Sequence, residues 1–190
     1  MVVGIDDPSI SELGVWPFRR LRHAQAVDRL RRAGAREIVY DVQFTEASPR
    51  PDDDLALYDA IGRAGGATLA TSTSDARGHT DVLGGDDLLA QIDSRAAAAN
   101  FASAPGGVLR RYPQRVRRLP SIAAIIAARV SGHPLPASAF DDGNAWIDFR
   151  GGPGTFPLGN SVLFAPLARR RPASFAAGCS RCARHPRAAA

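Results

Sequence analysis

Lysine is absent from this chain, because all 24 of its basic residues are arginine. A P-loop needs a lysine at the nucleotide phosphates, a protein kinase needs a strand lysine, and Schiff-base enzymes need a lysine amine. These three enzyme classes are therefore excluded. Long apolar runs are absent too, since no stretch approaches the roughly 18 consecutive apolar residues of a membrane-spanning helix. The first seven residues carry no basic region and no long apolar run, so no signal peptide is predicted there.

Cysteine is scarce, and Cys179 and Cys182 form the single pair Cys-Ser-Arg-Cys. Such a pair can serve a redox site, or half of a zinc site with His185 as a third ligand. A redox pair would open a helix after a strand, and a zinc site would need a fourth ligand nearby. The Arg- and Ala-rich surroundings provide neither, so we interpret the pair as incidental and expect no metal and no cofactor.

Acidic residues are scarce in the second half of the chain. Residues 1–100 contain 11 Arg and 16 acidic residues, whereas residues 101–190 contain 13 Arg and only 3 acidic residues. A basic half is typical of nucleic-acid-binding proteins. Here the basic stretches lack interleaved aromatic residues, and no predicted helix carries a continuous basic face. Nucleic acid is therefore not an expected partner.

The apolar pattern predicts strands and helices in alternation. The predicted strands are residues 2–5, 37–44, 67–71, 97–102 and 145–150, and the predicted helices are residues 21–33, 52–64, 86–92 and 122–130. Short, regular alternation implies parallel crossovers with helices covering the sheet. At 190 residues the chain fits one domain. The predicted fold class is α/β, a three-layer α/β/α sandwich with a mainly parallel central sheet.

Several short motifs occur in an order that is specific when they are taken together. They are Gly4-Ile5-Asp6-Asp7-x-Ser9, Leu13-Gly14-x-Trp16-Pro17-Phe18-x-Arg20, Asp41-x-x-Phe44-x-Glu46, Gly107-Val108-Leu109-Arg110-Arg111-Tyr112-Pro113 and Asp148-Phe149-Arg150-Gly151. In this order they resemble the type-two CHASE domain, the cyclase/histidine-kinase-associated sensory extracellular module. The resemblance covers about residues 2–175.

The resemblance implies one sensory domain over residues 1–175, incomplete at its C-terminal end. The family normally continues into a further core strand, whereas residues 176–190 show no strand pattern and are predicted to be irregular. We hypothesise that a frameshifted or prematurely ended reading frame produced this tail.

The resemblance also implies a function. It points to the extracytoplasmic part, periplasmic or at the cell surface, of a membrane-anchored bacterial receptor that relays a signal to a kinase or a nucleotide cyclase. The expected partners are a small-molecule or ionic signal and a second copy in a homodimer, and the chain is not expected to be an enzyme. An alternative is a metal-dependent hydrolase or phosphotransferase that uses Asp6, Asp7, Asp41 and Asp54. A third interpretation is a structural spacer without a pocket.

Carboxylates lie at the end of one predicted strand and within another. Asp6 and Asp7 end the first strand and Asp41 lies in the second, so side-by-side parallel strands would bring them to one edge, where α/β sheets bind ligands. Oxygen ligands of this type suit a cation or a polar molecule. Alternatively, these carboxylates accept hydrogen bonds from loop amides or pair with Arg19 or Arg20.

Three further residues are candidates for ligand binding. Trp16, beside Pro17, would line a recognition pocket or else pack on a helix. Arg110 and Arg111 would grip an anionic ligand or else neutralise the acidic half of the chain. With Asp6, Asp7, Arg20 and Asp41 they complete the predicted ligand-binding set, in which we assign no catalytic residue.

Overall fold

The computed structural model describes residues 1–101 and 106–160 of the chain. The helices of this part are α1 (Asp7–Leu13), α2 (Arg20–Arg32), α3 (Pro51–Arg63), α4 (Asp86–Gln91) and α5 (Ile122–Ser131). The strands are β1 (Val2–Gly4), β2 (Val39–Tyr40), β3 (Thr68–Thr71), β4 (Arg95–Ala98), β5 (Arg111–Pro113), β6 (Arg115–Val116), β7 (Leu119–Pro120), β8 (Asn144–Trp146) and β9 (Leu158–Asn160). Short 3-10 turns lie at Val82–Gly84 and Ala137–Ala139.

A parallel sheet with the strand order β2-β3-β4 forms the centre of the fold. Thr68 of β3 lies opposite both Val39 of β2 and Arg95 of β4. Every residue of β3 is buried, as expected for a parallel strand that is covered on both faces. The predicted α/β class with parallel strands is thereby confirmed, while the three-layer arrangement of the whole domain stays a prediction.

Helices α2 and α3 pack on one face of this sheet. Val27 of α2, Leu57 and Ile61 of α3, and Leu69 of β3 are completely buried in one apolar cluster. Leu57 and Ile61 share a helix face because they are four residues apart. Burying an aliphatic side chain of this size contributes about 1.5–3 kcal/mol. The cluster therefore holds both helices against the sheet.

Helix α5 lies against the opposite face, where it contacts β3 and β4. Its Arg129 forms an ion pair with Glu37 at 2.7 Å, and Glu37 accepts a hydrogen bond from the Thr68 hydroxyl at 3.3 Å. Successive strand side chains point to opposite faces, so Thr68 and Leu69 face different sides of the sheet. Because Leu69 faces α2 and α3, the Arg129–Glu37 pair and α5 lie on the other side.

Strand β1 does not join this sheet. It pairs in parallel with β9, so that Val2 lies opposite Leu158 and its N–H donates to the Pro157 carbonyl at 2.9 Å. The prediction that the first three strands lie side by side is therefore wrong for β1, and it holds for β2 and β3. The physical reason is that the backbone of β1 finds its hydrogen-bonding partner in β9 and not in β2, a choice that tertiary contacts decide.

Two antiparallel pairs complete the described structure, β5 with β8 and β6 with β7. Beside them Ala124 of α5, Phe140 and Ala145 form a small second apolar cluster. The predicted irregular tail over residues 176–190, with its cysteine pair, lies outside the described residues. Within the described ranges, no helix is both long enough and apolar enough to cross a membrane.

Candidate ligand-binding site

A cavity of about 910 Å³ lies between β1 and β2. Val3 and Ile5 line it from the first segment, and Ile38 and Val39 line it from the second. Leu30 of α2 adds to its apolar wall. Pockets for small molecules have volumes of about 300–1,000 Å³ and are predominantly apolar. The cavity therefore has the size and the lining of a binding site.

The cavity also meets an open sheet edge, because β3 is the only strand that pairs with β2 in the described part of the chain. The Thr68 N–H donates to the Ile38 carbonyl at 2.9 Å. In a parallel strand, alternate residues direct their N–H and C=O groups to opposite neighbours. Val39 and Asp41 thus present theirs to the outer edge. Hydrogen-bonding groups of the backbone are available there beside the apolar wall.

Two of the predicted ligand-binding residues, Trp16 and Asp41, line this cavity together. Trp16 is 41% exposed. Asp41 directly follows β2, is exposed, and has no hydrogen-bond or ion-pair partner within the described residues. The only other carboxylate in the lining, that of Glu37, is paired with Arg129. Ligand binding by Trp16 and Asp41 stays a prediction.

Aromatic rings form the wall behind Trp16. The Trp16 ring lies edge-on to Phe18, with 5.3 Å between ring centroids, and 6.2 Å from the His23 ring. The His23 centroid is 5.3 Å from that of Phe44 and 5.7 Å from that of Tyr40. Edge-to-face ring pairs of this kind contribute about 0.5–1.5 kcal/mol beyond their buried area. The cluster fixes the position of the Trp16 ring at the cavity.

His23 is buried at the centre of this cluster and is only 1% exposed. Burial, and to a smaller extent the positive charge of Arg20, lowers the pKa of His23 to about 4. Burial also raises the pKa of the neighbouring Tyr40 hydroxyl. Both side chains are therefore neutral at neutral pH, because a buried site disfavours the charged form of each.

Two adjacent ion pairs connect the segment that carries Trp16 to α3. Arg19 binds both carboxylate oxygens of Asp53 at 2.9 Å, and Arg20 lies 3.1 Å from the Asp54 carboxylate. The hydrogen bond from Arg19 holds the pKa of Asp53 below its usual value. Arg20 also donates to the Glu46 carbonyl. The predicted binding residue Arg20 thus makes intramolecular contacts, and a role in ligand binding stays a prediction.

Residues 1–175 match the family model of the CHASE2 domain. The chain belongs to the CHASE2 family. The predicted resemblance to the type-two CHASE domain is thereby confirmed. CHASE2 domains are sensory extracellular domains found in receptors with kinase or cyclase domains. No curated protein and no solved structure matches the chain.

In this CHASE2 domain, Asp6 and Asp7 begin α1. The Asp6 carboxylate accepts a hydrogen bond from the Ser9 N–H at 3.1 Å, and the Asp6 N–H donates to the Ser9 hydroxyl at 3.3 Å, which forms a capping box. The hydrogen bond from the Ser9 hydroxyl lowers the pKa of Asp6. Asp7 is exposed in the first turn of the helix. Neither residue lines the cavity, so the structure does not bring them to Asp41 there.

Arg110 and Arg111 lie on a different sheet of the CHASE2 domain. Arg110 is exposed just before β5, and its carbonyl accepts a hydrogen bond from the Ile147 N–H. Arg111 donates to the Asp141 carbonyl at 2.9 Å, and its guanidinium lies 5.1 Å from the centroid of the Trp146 ring. These contacts orient Arg111 along the β5–β8 pair. Anion binding by the two arginines stays a prediction.

The alternative of a metal-dependent hydrolase or phosphotransferase finds no support in the described residues. In residues 1–101 and 106–160, no group of three or more His, Cys, Asp or Glu side chains could hold a metal ion. Asp54, one of the four aspartates in that hypothesis, accepts a hydrogen bond from the Ser48 N–H at 2.9 Å and pairs with Arg20. A metal site at these aspartates would need them to converge.

Sequence reasoning missed two features of this site. The first is the cluster of aromatic rings around His23, which brings together residues between 16 and 44. The second is the pairing of Arg19 and Arg20 with Asp53 and Asp54, because the sequence analysis named Asp6, Asp7 and Asp41 as the possible partners of these arginines. The available signal was a pair of adjacent arginines, Arg19 and Arg20, and a run of three aspartates at residues 52–54.

Proposed function

We propose that this chain is the extracytoplasmic sensory domain of a bacterial membrane receptor, and that it passes a signal to a kinase or a nucleotide cyclase. The observation that carries the proposal is the match of residues 1–175 to a family of sensory extracellular domains. In this role the chain binds a signal and does not transform it chemically.

The cavity beside β2 supports the first half of this function, the reception of a signal. It combines an apolar wall, an aromatic side chain in Trp16, and the carboxylate of Asp41, which is unpaired among the residues that the structure describes. A largely apolar pocket with a few convergent polar groups is the usual form of a small-molecule site. We therefore assign signal binding to this cavity.

The contacts around Trp16 support the second half, the transmission of a signal. Trp16 is three residues from Arg19, which binds Asp53 at the start of α3. A ligand that displaces the Trp16 ring would act on these ion pairs and so on the position of α3. Transmission requires that the ligand bind two arrangements of the domain with different affinities. The Trp16–Arg20 segment is the part of the structure that we assign to this change.

The test is a chimeric receptor in which the full chain replaces the extracytoplasmic domain of a histidine kinase with a reporter output. Ala33 is exposed and lines the cavity, so Ala33→Trp fills it from the edge. We expect Ala33→Trp to change the reporter output several-fold, because it mimics or blocks an occupied cavity. Reporter expression and the membrane level of the chimera are measured together.

Ala76→Trp is the matched control, since Ala76 is exposed in a loop and does not line the cavity. It should leave the output at the level of the parent chimera. The sensory assignment fails if Ala33→Trp and Ala76→Trp give the same output as the parent at equal membrane levels. It also fails if an unrelated domain of similar size supports the same regulated output.

A further inference from the structure

The electrostatic character of the cavity is set by one side chain. Among the described residues that line it, Glu37 and Asp41 are the carboxylates, and none is an arginine, although the chain contains 24. Arg129 neutralises Glu37 at 2.7 Å. The carboxylate of Asp41 has no such partner in the described structure, so Asp41 is the one side chain of this lining whose charge is not neutralised by a neighbouring side chain.

The groups beside Asp41 suit a donor of hydrogen bonds. The open edge of β2 presents the Val39 carbonyl on the same side as the backbone of Asp41, as the hydrogen bond from Thr68 to Ile38 requires. A carboxylate and a free carbonyl are both acceptors. A ligand group that donates more than one hydrogen bond satisfies both.

The aromatic residues in the lining favour a positive charge as well. Trp16 and Tyr40 both line the cavity. The face of an aromatic ring attracts an ammonium or guanidinium group, and Trp attracts it most strongly. Val3, Ile5 and Leu30 in the lining offer apolar contact.

We propose that the cavity binds a small amphipathic amine, whose ammonium group pairs with Asp41 and whose apolar part lies between β1 and β2. This inference rests on the proposed sensory function and names the chemical class of the signal. Anionic ligands are disfavoured by the uncompensated carboxylate. Neutral apolar ligands would leave the carboxylate and the carbonyl of the β2 edge without a partner at the mouth of the site.

The test uses the purified full chain and hexylammonium chloride as the probe, with 1-hexanol and sodium hexanoate as probes of matched length. Binding is measured by isothermal titration calorimetry at neutral pH. We expect hexylammonium to bind at least tenfold more tightly than either control, because a charge-assisted hydrogen bond is about twice as strong as a neutral one. Raising the salt concentration should weaken only hexylammonium binding.

Two variants test whether the ammonium group of the probe pairs with Asp41. Asp41→Asn keeps the size of the side chain and removes its charge, and we expect it to weaken hexylammonium binding at least tenfold. Asp81→Asn is the matched control, because Asp81 is exposed, has no side-chain hydrogen bond at its turn and does not line the cavity. It should bind hexylammonium as the unaltered chain does. Thermal unfolding of both variants shows that they are folded.

Three results would overturn the proposal. They are equal affinity for hexylammonium and hexanol, an Asp41→Asn variant that binds as tightly as the unaltered chain, and no binding of hexylammonium at all. A dimer in sedimentation together with no binding would mean that a second copy pairs with the β2 edge instead. The chimera above reads signalling without any probe, so its failure would concern the sensory function and not the ligand class.

Discussion

Mild acid should destabilise this domain through His23. The pKa of His23 is lowered from 6.5 to about 4 in the folded chain, chiefly by burial. An imidazole in an unfolded chain takes up its proton near pH 6.5, whereas the folded chain resists protonation until about pH 4. The stabilisation from the neutral ring is therefore fully present above about pH 6.5, and it is lost as the pH falls from there towards 4.

The magnitude follows from the two pKa values. Each pKa unit corresponds to about 1.4 kcal/mol, so the displacement from 6.5 to about 4 corresponds to about 3 kcal/mol at full protonation. At pH 5 the unfolded chain is almost fully protonated at this site and the folded chain mostly neutral, so about 2 kcal/mol is lost there. That is a large share of the 5–15 kcal/mol by which a typical domain is stable.

Urea unfolding of the full chain between about pH 5 and pH 7.5 measures this loss as a change in the free energy of unfolding. The variant His23→Phe removes the titrating group from among the rings of Phe18, Tyr40 and Phe44, so its stability should change much less over the same range.

Exposed His133 provides the control, since His133→Gln should retain the full pH dependence. The hydrogen bonds that keep the pKa values of Asp28 and Asp53 low also keep both carboxylates charged at pH 5. If His23→Phe and the unaltered chain lose equal stability, burial does not hold His23 neutral and the reasoning is refuted.

Two further predictions concern the free energy of unfolding measured in the same way. Gly66→Ala should cost more than about 2 kcal/mol, because its φ is +94° and an added Cβ would lie 2.2 Å from the Asp93 carbonyl oxygen. Gly65→Ala is the control: its φ is +81° and an added Cβ would have nothing within 4 Å, so it should cost only about 1–2 kcal/mol for the left-handed backbone. Equal losses in the two variants would contradict the close approach at Gly66. Ser121→Ala should cost about 1 kcal/mol, because the Ser121 hydroxyl accepts the Ala124 N–H at the start of α5, and an unchanged stability would show that this cap contributes nothing.

The sequence predicted helices α2 and α3 and strand β3 well, whereas the predicted strands 37–44 and 97–102 correspond to β2 at Val39–Tyr40 and β4 at Arg95–Ala98. The predicted helix over residues 21–33 corresponds to α2 (Arg20–Arg32), and the one beginning near residue 52 corresponds to α3 (Pro51–Arg63). The predicted strand over residues 67–71 corresponds to β3. In each case apolar residues recur at the spacing of the element, and glycine follows the end of both helices, so local information sufficed.

The pairing of β1 depended on information that local pattern does not contain. Its partner β9 is Leu158-Gly159-Asn160, which shows no alternation of apolar and polar residues and no long apolar run. Strand pairing between segments more than 150 residues apart is decided by tertiary contacts. The family was nevertheless identified correctly, because the motifs that carry it do not require β1 to lie beside β2.

The role of Asp6 shows how one residue type supports two interpretations. An aspartate after an apolar strand was taken as a candidate ligand, yet Asp6 followed by Pro8 and Ser9 is also the pattern of a helix N-terminus. The structure shows the capping contacts. Asp41 has no Pro or Ser in the matching positions and begins no helix, and it is the aspartate that reaches the cavity. Local capping signals therefore separate the two carboxylates.

Two aromatic side chains connect the cavity to His23, and this bears on how a signal could leave the site. Trp16 and Tyr40 both line the cavity and both lie against the ring of His23. A ligand cannot move either ring without changing the packing around His23, whose neutral state depends on that packing. By the reciprocity of linked equilibria, anything that charges His23 must then alter the affinity of the cavity. The signal binding that we propose and acidity would therefore act on the same small cluster, and the ion pair from Arg19 to Asp53 connects the segment that carries Trp16 to α3.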